Sequence, residues 1–169
     1  IAVIADTHHA DTFLVQHDQI IVREILLKSL NDSIIGFCCG IGTGGTLTGV
    51  GEVLKAHNPD MEIWAVEPEN AALLSGHPIG THMQMGIGDG LIPDNLNRAI
   101  YEEICIVSDE EALETARDLA RKEGLMCGIS SGTNVAAALR LAKKLGPGKT
   151  VVTVLPDTAE RYFSTPLFE

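Results

Sequence analysis

Apolar residues follow two different periodicities along this chain. Short apolar runs bounded by polar, glycine or proline residues predict buried strands at 1–5, 33–39, 61–66, 103–107 and 150–155. Between these runs, apolar residues recur at helical spacing, which predicts helices at 18–30, 46–57, 109–123 and 134–145. Strands that alternate with helices are typical of an α/β fold with an open, mainly parallel, three-layer sheet of the Rossmann-like kind. At 169 residues, the chain is expected to form a single α/β domain over 1–169.

Two segments interrupt this alternation. Residues 68–97 are rich in glycine and proline, and a loop of this length in a compact domain is usually functional or mobile. Residues 127–132 form a glycine and serine turn ahead of an alanine-rich helix, where Ser130 or Ser131 is either a helix cap or a cofactor contact. By contrast, Ser108 and Glu111 have the spacing of a capping box, so the helix after them is expected to be scaffold.

The segment Gly-Ile-Gly-Thr-Gly-Gly-Thr at 40–46, here named the central turn, joins a predicted buried strand to a predicted helix. Glycines without Cβ atoms let several backbone N–H groups approach one anion, and the helix N-terminus adds partial positive charge. Thr43 and Thr46 add hydroxyl donors. The central turn is therefore predicted to bind the phosphate of a cofactor.

The glycine spacing alone leaves more than one ligand open. Gly40, Gly42 and Gly45 match the fingerprint of dinucleotide-binding domains, and Glu67 lies about 20 residues further on, where that fingerprint has an acid for the ribose. An NAD-binding domain is therefore one hypothesis, and a tight turn without a ligand is another. A P-loop fits less well, because its motif requires a lysine that is absent beside this turn.

Several motifs together resemble those of one enzyme family. The segment Gly-Thr-Gly-Gly-Thr-Leu-Thr-Gly-Val-Gly at 42–51 resembles the phosphate loop of cysteine synthase, also called O-acetylserine sulfhydrylase. Further motifs follow in family order: Val-Glu-Pro at 66–68, Gly-Ile-Gly-Asp-Gly-Leu-Ile-Pro at 86–93, Gly-Ile-Ser-Ser-Gly at 128–132 and Leu-Pro-Asp-Thr-Ala-Glu-Arg-Tyr at 155–162. The resemblance covers residues 34–169, whereas residues 1–33 form an atypical N-terminal segment.

This resemblance implies a fold-type-II enzyme that uses pyridoxal 5'-phosphate, with a fold like that of the tryptophan synthase β subunit. The implied phosphate contacts are Gly42, Thr43, Gly44, Gly45 and Thr46. Ser130 is implied to donate to the pyridine nitrogen, and Gly86, Ile87 and Gly88 to lie against cofactor and substrate. The implied reaction is a β-replacement in which O-acetylserine and sulfide give cysteine and acetate.

The same reaction requires a Schiff-base lysine, and no lysine of this chain has the expected setting. Lys149 follows a Pro-Gly turn, and the others lie on predicted amphipathic helices, which suits a solvated ammonium group. The resemblance places the catalytic lysine in an N-terminal half that has no counterpart here. The chain is therefore expected to be catalytically incomplete, and to act with an N-terminal half or in the homodimer usual for the family.

Two other functions stay open beside an incomplete cysteine synthase. The chain is alternatively a non-catalytic module that binds pyridoxal phosphate or a partner, or the NAD-binding domain considered above. Cystathionine β-synthase shares these motifs, so homocysteine in place of sulfide is also open as the nucleophile.

Composition excludes several classes of protein. A net charge of −11 argues against a nucleic-acid partner, and no apolar run reaches the ~18 residues of a membrane span.

The cysteines lack the spacing of a zinc site and are expected to be reduced core residues. Asp6 and His8 suit a divalent metal, but the later motifs of metallophosphoesterases are missing, so a polar loop is preferred and no metal site is expected. With no disulfide framework and no signal peptide, the chain is predicted to be cytoplasmic.

Overall fold

The computed structural model describes residues 2–6, 13–16 and 34–168. The strands are β1 (Ala2–Asp6), β2 (Phe13–Gln16), β3 (Ile34–Gly40), β4 (Glu62–Pro68), β5 (Glu103–Val107) and β6 (Thr150–Val154). The α-helices within these residues are α1 (Gly45–His57), α2 (Asp109–Glu123) and α3 (Ile129–Leu145). Short 3-10 helices occur at Glu69–Ala71, Ala159–Tyr162 and Pro166–Phe168.

The strands form one sheet in the order β2-β1-β6-β3-β4-β5. Strands β6, β3, β4 and β5 run parallel, whereas β1 pairs antiparallel with both β2 and β6. The predicted mainly parallel sheet is thus confirmed. Because β6, β3 and β4 are parallel neighbours, their carboxyl ends meet at one edge, where open α/β sheets bind ligands.

Successive side chains of the central strands alternate between two buried faces. Phe37 and Ile63 lie opposite each other on β3 and β4 and cluster with Leu54 of α1. On the other face, Trp64 of β4 clusters with Leu141 of α3. Helices therefore cover the sheet on both sides, and the predicted three-layer arrangement is confirmed.

Helix α3 begins at Ile129, so the prediction of a helix at 134–145 was wrong about its start. Ser130, Ser131 and Gly132 are weak helix formers, but all three are buried in the structure, and tertiary packing overrides local preference. A Cβ atom added to Gly132 would lie 2.0 Å from the carbonyl oxygen of Ala112 on α2. The small residues of this first turn therefore allow α2 and α3 to pack closely.

Two further predictions concern segments outside the described residues, and two concern the ends of α2. The helix predicted at 18–30 and the candidate metal ligand His8 lie outside the described residues. The predicted cap of α2 is confirmed, because Ser108 Oγ accepts a hydrogen bond from Glu111 N at 3.2 Å. Gly124 is the C-cap residue that closes α2, also as predicted. None of the helices in the described ranges is both long and apolar enough to cross a bilayer.

Candidate functional site

The central turn runs from the last residue of β3 to the first two residues of α1. Gly44 has a left-handed conformation with φ of 78°, and the helix starts at the next residue. Thr43, Gly45 and Thr46 are exposed, and no side chain caps the helix. The first N–H groups of α1 thus have no intrahelical partner and no cap. This arrangement suits an anion, because backbone donors and the positive end of the helix dipole coincide.

The glycine loop, residues 86–90, packs directly against the central turn. Gly88 N donates to the carbonyl oxygen of Ile41 at 2.9 Å. A Cβ atom on Gly42 would lie only 2.4 Å from the carbonyl oxygen of Gly86, so a side chain at this position would collide with the loop backbone. The sequence predicts both segments as cofactor contacts, and the structure brings them together.

A residue that sequence reasoning missed bridges the sheet edge beneath the central turn. Asn134, in the second turn of α3, accepts a hydrogen bond from Gly40 N through Oδ1 at 2.7 Å. Its Nδ2 donates to the carbonyl oxygen of Val154 at 2.8 Å. This buried amide therefore connects the ends of β3 and β6 and fixes α3 relative to the central turn. An asparagine within an apolar helix was the available signal, since its side chain competes for backbone hydrogen bonds.

The N-terminus of α3 is a second helix end without a side-chain cap. Gly128 is the N-cap residue, so the interpretation of Ser130 or Ser131 as a helix cap was wrong. Both serines lie within the first turn of the helix and are buried. Ser130 therefore has no capping role, and its assignment to the cofactor stays a prediction.

Asp157 and Tyr162 pack against the start of α3. The Tyr162 hydroxyl donates to Asp157 Oδ2 at 2.7 Å, and Gly128 N donates to the carbonyl oxygen of Asp157 at 3.3 Å. A Cβ atom on Gly128 would lie 2.1 Å from Asp157 Oδ1. Burial, followed by the hydrogen bond to Asp157, raises the pKa of Tyr162 far above its usual value. Tyr162 therefore stays protonated as a donor, and the motif at 155–162 supports the N-terminus of α3.

Glu67 does not have the setting that the NAD hypothesis requires. Its buried carboxylate accepts hydrogen bonds from Leu74 N at 2.7 Å, from Ser75 N at 3.1 Å and from Ser75 Oγ at 3.0 Å. These donors belong to the loop after β4 and occupy both carboxylate oxygens. Glu67 therefore anchors a loop, which does not support the hypothesis that this acid binds a ribose.

Two described lysines near the sheet are paired with carboxylates. Lys55 forms an ion pair with Glu102. Lys144 Nζ contacts Glu62 and lies 2.8 Å from Glu103 Oε2, at the surface beside β4 and β5. These positions agree with the expectation of solvated ammonium groups, whereas Lys28 lies outside the described residues.

The cysteines are free and buried, which confirms them as core residues. Burial raises the pKa of Cys39 to about 12 and the pKa of Cys127 to about 11. Thiols with such pKa values stay protonated at neutral pH and are poor nucleophiles. Within the described ranges, no group of histidine, cysteine, aspartate and glutamate side chains is arranged to hold a metal ion.

Domains that bind phosphorylated cofactors share this architecture. They have an open α/β sheet, and its carboxyl edge carries a glycine turn and the N-terminus of a helix. Within that class, the chain belongs to the pyridoxal-phosphate dependent enzyme family, whose model matches residues 3–157. The resemblance drawn from the motifs is thereby confirmed, and so is the cofactor class of the family.

Individual relatives agree with this assignment. Over 145 residues the chain is 50% identical to a cysteine synthase of Staphylococcus aureus strain Mu50, a match that covers 86% of this chain and 47% of the relative. An O-acetylserine sulfhydrylase isoform 3 of Entamoeba histolytica superposes with a TM-score of 0.82 at 39% identity, over 88% of this chain and 44% of that one. An O-acetylserine dependent cystathionine β-synthase of Helicobacter pylori gives a TM-score of 0.81 at 37% identity, over 88% and 48%. The chain thus spans about half the length of the curated relatives that it matches.

Proposed function

We propose that this chain forms the cofactor-anchoring part of a cysteine synthase, an enzyme that converts O-acetylserine and sulfide into cysteine and acetate. The observation that carries the proposal is the central turn, which leads into the uncapped start of α1 and contacts the glycine loop through Ile41. Family membership and 50% identity to a cysteine synthase support the same reaction class. Because the match spans 47% of that relative, the proposal assigns cofactor binding to this chain and not the whole catalytic cycle.

The central turn fits the phosphate group of pyridoxal phosphate. The N–H groups at the start of α1 can donate to a phosphate, and the exposed hydroxyls of Thr43 and Thr46 are further donors beside them. The surroundings of Gly45 are open, since an added Cβ atom would have only Thr43 Oγ1, at 3.8 Å, within 4 Å. The proposed phosphate contacts are Gly42, Thr43, Gly44, Gly45 and Thr46.

The pyridine ring is proposed to lie between α3 and the glycine loop. Ser130 is assigned to the pyridine nitrogen, and α3 is held relative to the central turn by Asn134. Gly86, Ile87 and Gly88 are assigned to the substrate side, where buried Ile87 helps to exclude water. When bound, the cofactor supplies the electron sink for β-replacement, and these residues orient its ring and phosphate.

The remaining groups of the reaction are proposed to come from elsewhere. A lysine is required for proton transfer at the substrate α-carbon, and we assign it to an N-terminal half or a homodimer partner. We propose a cytoplasmic enzyme, as the cysteine pattern suggests. Sulfide is the proposed nucleophile. Homocysteine is the second candidate, because a cystathionine β-synthase is among the similar structures.

The proposal is tested by titrating the chain with pyridoxal phosphate and following absorbance and cofactor fluorescence. The informative variant is Gly45→Asp, which adds a negative charge beside the proposed phosphate. An acidic residue at a helix N-terminus stabilises the helix, so the variant is expected to fold. Like-charge repulsion is expected to weaken cofactor binding by about a hundredfold.

Gly49→Asp is the matched control, since Gly49 is exposed on the same helix and has no atom near an added Cβ. It adds the same charge one turn further along α1 and is expected to retain most of the affinity. Equal loss in both variants would contradict a phosphate site at the central turn. If the unmodified chain shows no saturable binding, the anchoring role is contradicted. If borohydride fixes the cofactor to a lysine of this chain, the proposal that the Schiff-base lysine comes from an N-terminal half or a partner is contradicted.

A further inference from the structure

Helix α3 contacts the central turn and the segment before the glycine loop through adjacent residues. Asn134 binds Gly40, at the start of the central turn, as described above. Thr133, the preceding residue, donates through Oγ1 to Gln84 Oε1 at 2.8 Å. Gln84 lies two residues before the glycine loop begins. One turn of α3 is therefore hydrogen-bonded on one side to the central turn and on the other to the segment that leads into the glycine loop.

Gln84 is completely buried, which is unusual for an amide in a glycine-rich segment. Its Nε2 donates to the carbonyl oxygen of Val107 at 3.0 Å and to Asp109 Oδ1 at 2.9 Å. With the bond from Thr133, the side chain joins the end of β5, the start of α2 and the second turn of α3. A buried amide whose groups are all bonded specifies one position for its backbone, because any shift leaves polar groups unpaired.

A second chain of hydrogen bonds runs from Gln84 into the glycine loop. Gln84 N donates to His82 Nδ1 at 3.2 Å. Since Nδ1 accepts, His82 Nε2 carries the proton and donates to the carbonyl oxygen of Gly88 at 3.2 Å. Gly88 N in turn donates to the carbonyl oxygen of Ile41 in the central turn at 2.9 Å. The position of Gln84 is thereby transmitted to the contact between the two loops.

We infer that Gln84 and Thr133 are positioning residues that hold the glycine loop against the central turn. Neither needs to touch the cofactor, because both act through His82 and Gly88. The effect on cofactor binding rests on the proposed function, whereas the effect on the loop contact does not. Loss of the Thr133–Gln84 bond is therefore expected to change the opening of the loop in the chain alone, and to change the affinity for pyridoxal phosphate when the cofactor is present.

The decisive variant is Thr133→Val, which removes the hydroxyl and keeps the shape of the side chain. Amide hydrogen exchange at Gly88 reports opening of the glycine loop from Ile41, and it is measured in the cofactor-free chain. Exchange at Gly88 is expected to become about tenfold faster. Pyridoxal phosphate affinity, measured by fluorescence, is expected to fall by a similar factor.

Thr153→Val is the matched control. Thr153 is equally buried, and its hydroxyl donates to the carbonyl oxygen of Cys38 at 2.7 Å, within the sheet core. This variant loses one buried hydrogen bond of the same kind, so it lowers global stability without acting on Gln84. Exchange at Gly88 is expected to be unchanged in it, and Thr133→Ser, which keeps the hydroxyl, is expected to restore the slow exchange.

Gln84→Met tests the pair. In this background, Thr133→Val is expected to have little additional effect on Gly88 exchange, because the bond it removes is already lost. The inference is overturned if Thr133→Val leaves Gly88 exchange unchanged, or if Thr153→Val accelerates it equally. A chain that binds no pyridoxal phosphate overturns the proposed function only, since the exchange measurement still decides whether Thr133 and Gln84 hold the loop.

Discussion

Asn134 and Gly40 are 94 positions apart in the sequence, yet the Asn134 side chain accepts a hydrogen bond from Gly40 N at 2.7 Å. Gly40 is the last residue of β3 and the first of the central turn, and its N–H is bonded by a side chain of α3. The same side chain donates to Val154 at the end of β6. One amide thus satisfies two backbone groups at the edge where the central turn begins.

Replacing Asn134 by alanine is expected to lower the free energy of unfolding by about 1–3 kcal/mol, because partly buried backbone groups of Gly40 and Val154 lose their partners. Urea unfolding measures this change. Hydrogen exchange at Gly40 is expected to accelerate by more than the global change explains. Exchange at Gly40 that only follows global unfolding would show that the bridge has no local effect.

Two glycine-to-alanine substitutions on helices are expected to have opposite signs. At Gly132, the new Cβ atom would lie 2.0 Å from Ala112 O, so Gly132→Ala is expected to destabilise the fold by about 1–3 kcal/mol or more. At Gly49, no atom lies within 4 Å of the new Cβ, so Gly49→Ala is expected to stabilise by about 0.5–1 kcal/mol. Thermal unfolding of both variants measures the difference. Equal effects would contradict the close packing of α2 on α3.

Glu67→Gln is expected to destabilise the loop after β4. The amide retains one acceptor oxygen, but its NH₂ group faces donors at Ser75, so at least one hydrogen bond is lost at a cost of about 1–3 kcal/mol. Hydrogen exchange at Leu74 and Ser75 is expected to increase. Pyridoxal phosphate affinity is expected to change little, because Glu67 is directed at the loop.

Lys144→Gln is expected to lower the melting temperature at neutral pH. Lys144 contacts Glu62 and Glu103 and lies 5.1 Å from the centre of the Trp64 ring. The hydrogen bond from Lys144 is the main cause that lowers the pKa of Glu62. A lowered carboxyl pKa stabilises the fold above the unfolded-state pKa, and this contribution is lost as the pH falls through the folded-state pKa.

The difference in melting temperature between Lys144→Gln and the unmodified chain is therefore expected to shrink below about pH 4, and also at high salt, where exposed pairs are screened. A difference independent of pH would attribute the effect to the contact with Trp64.

Local patterns were sufficient to predict much of the fold. The strand at 103–107 and the cap at Ser108 follow from apolar runs and from a serine three residues before a glutamate, which are interactions within a few residues of each other. The start of α3 did not follow, because Ser130 and Gly132 favour a turn when considered alone. The helix there goes with tertiary packing, in which these small residues are buried and Gly132 approaches Ala112.

In the candidate site, too, features that depend on neighbouring residues were predictable and contacts between distant residues were not. The glycines of the central turn were predicted from their spacing. The spacing of Glu67 also suggested a ribose contact as one hypothesis, whereas its carboxylate binds the loop at 74–75. Gln84 carried no signal, since a polar residue in a glycine-rich segment is expected to be exposed. Its partners Val107 and Thr133 lie 23 and 49 positions away.

The sequence by itself therefore determined most of the described elements and the glycine-rich character of the central turn, because periodicity, glycine content and helix termini act over short separations along the chain. Only the tertiary structure decided which distant groups meet: Asn134 with Gly40, and Thr133 with Gln84. The physical reason is that a buried donor or acceptor takes whichever complementary group the packing brings within about 3 Å. That choice depends on the approach of strands and helices in space and not on the spacing of residues in the chain.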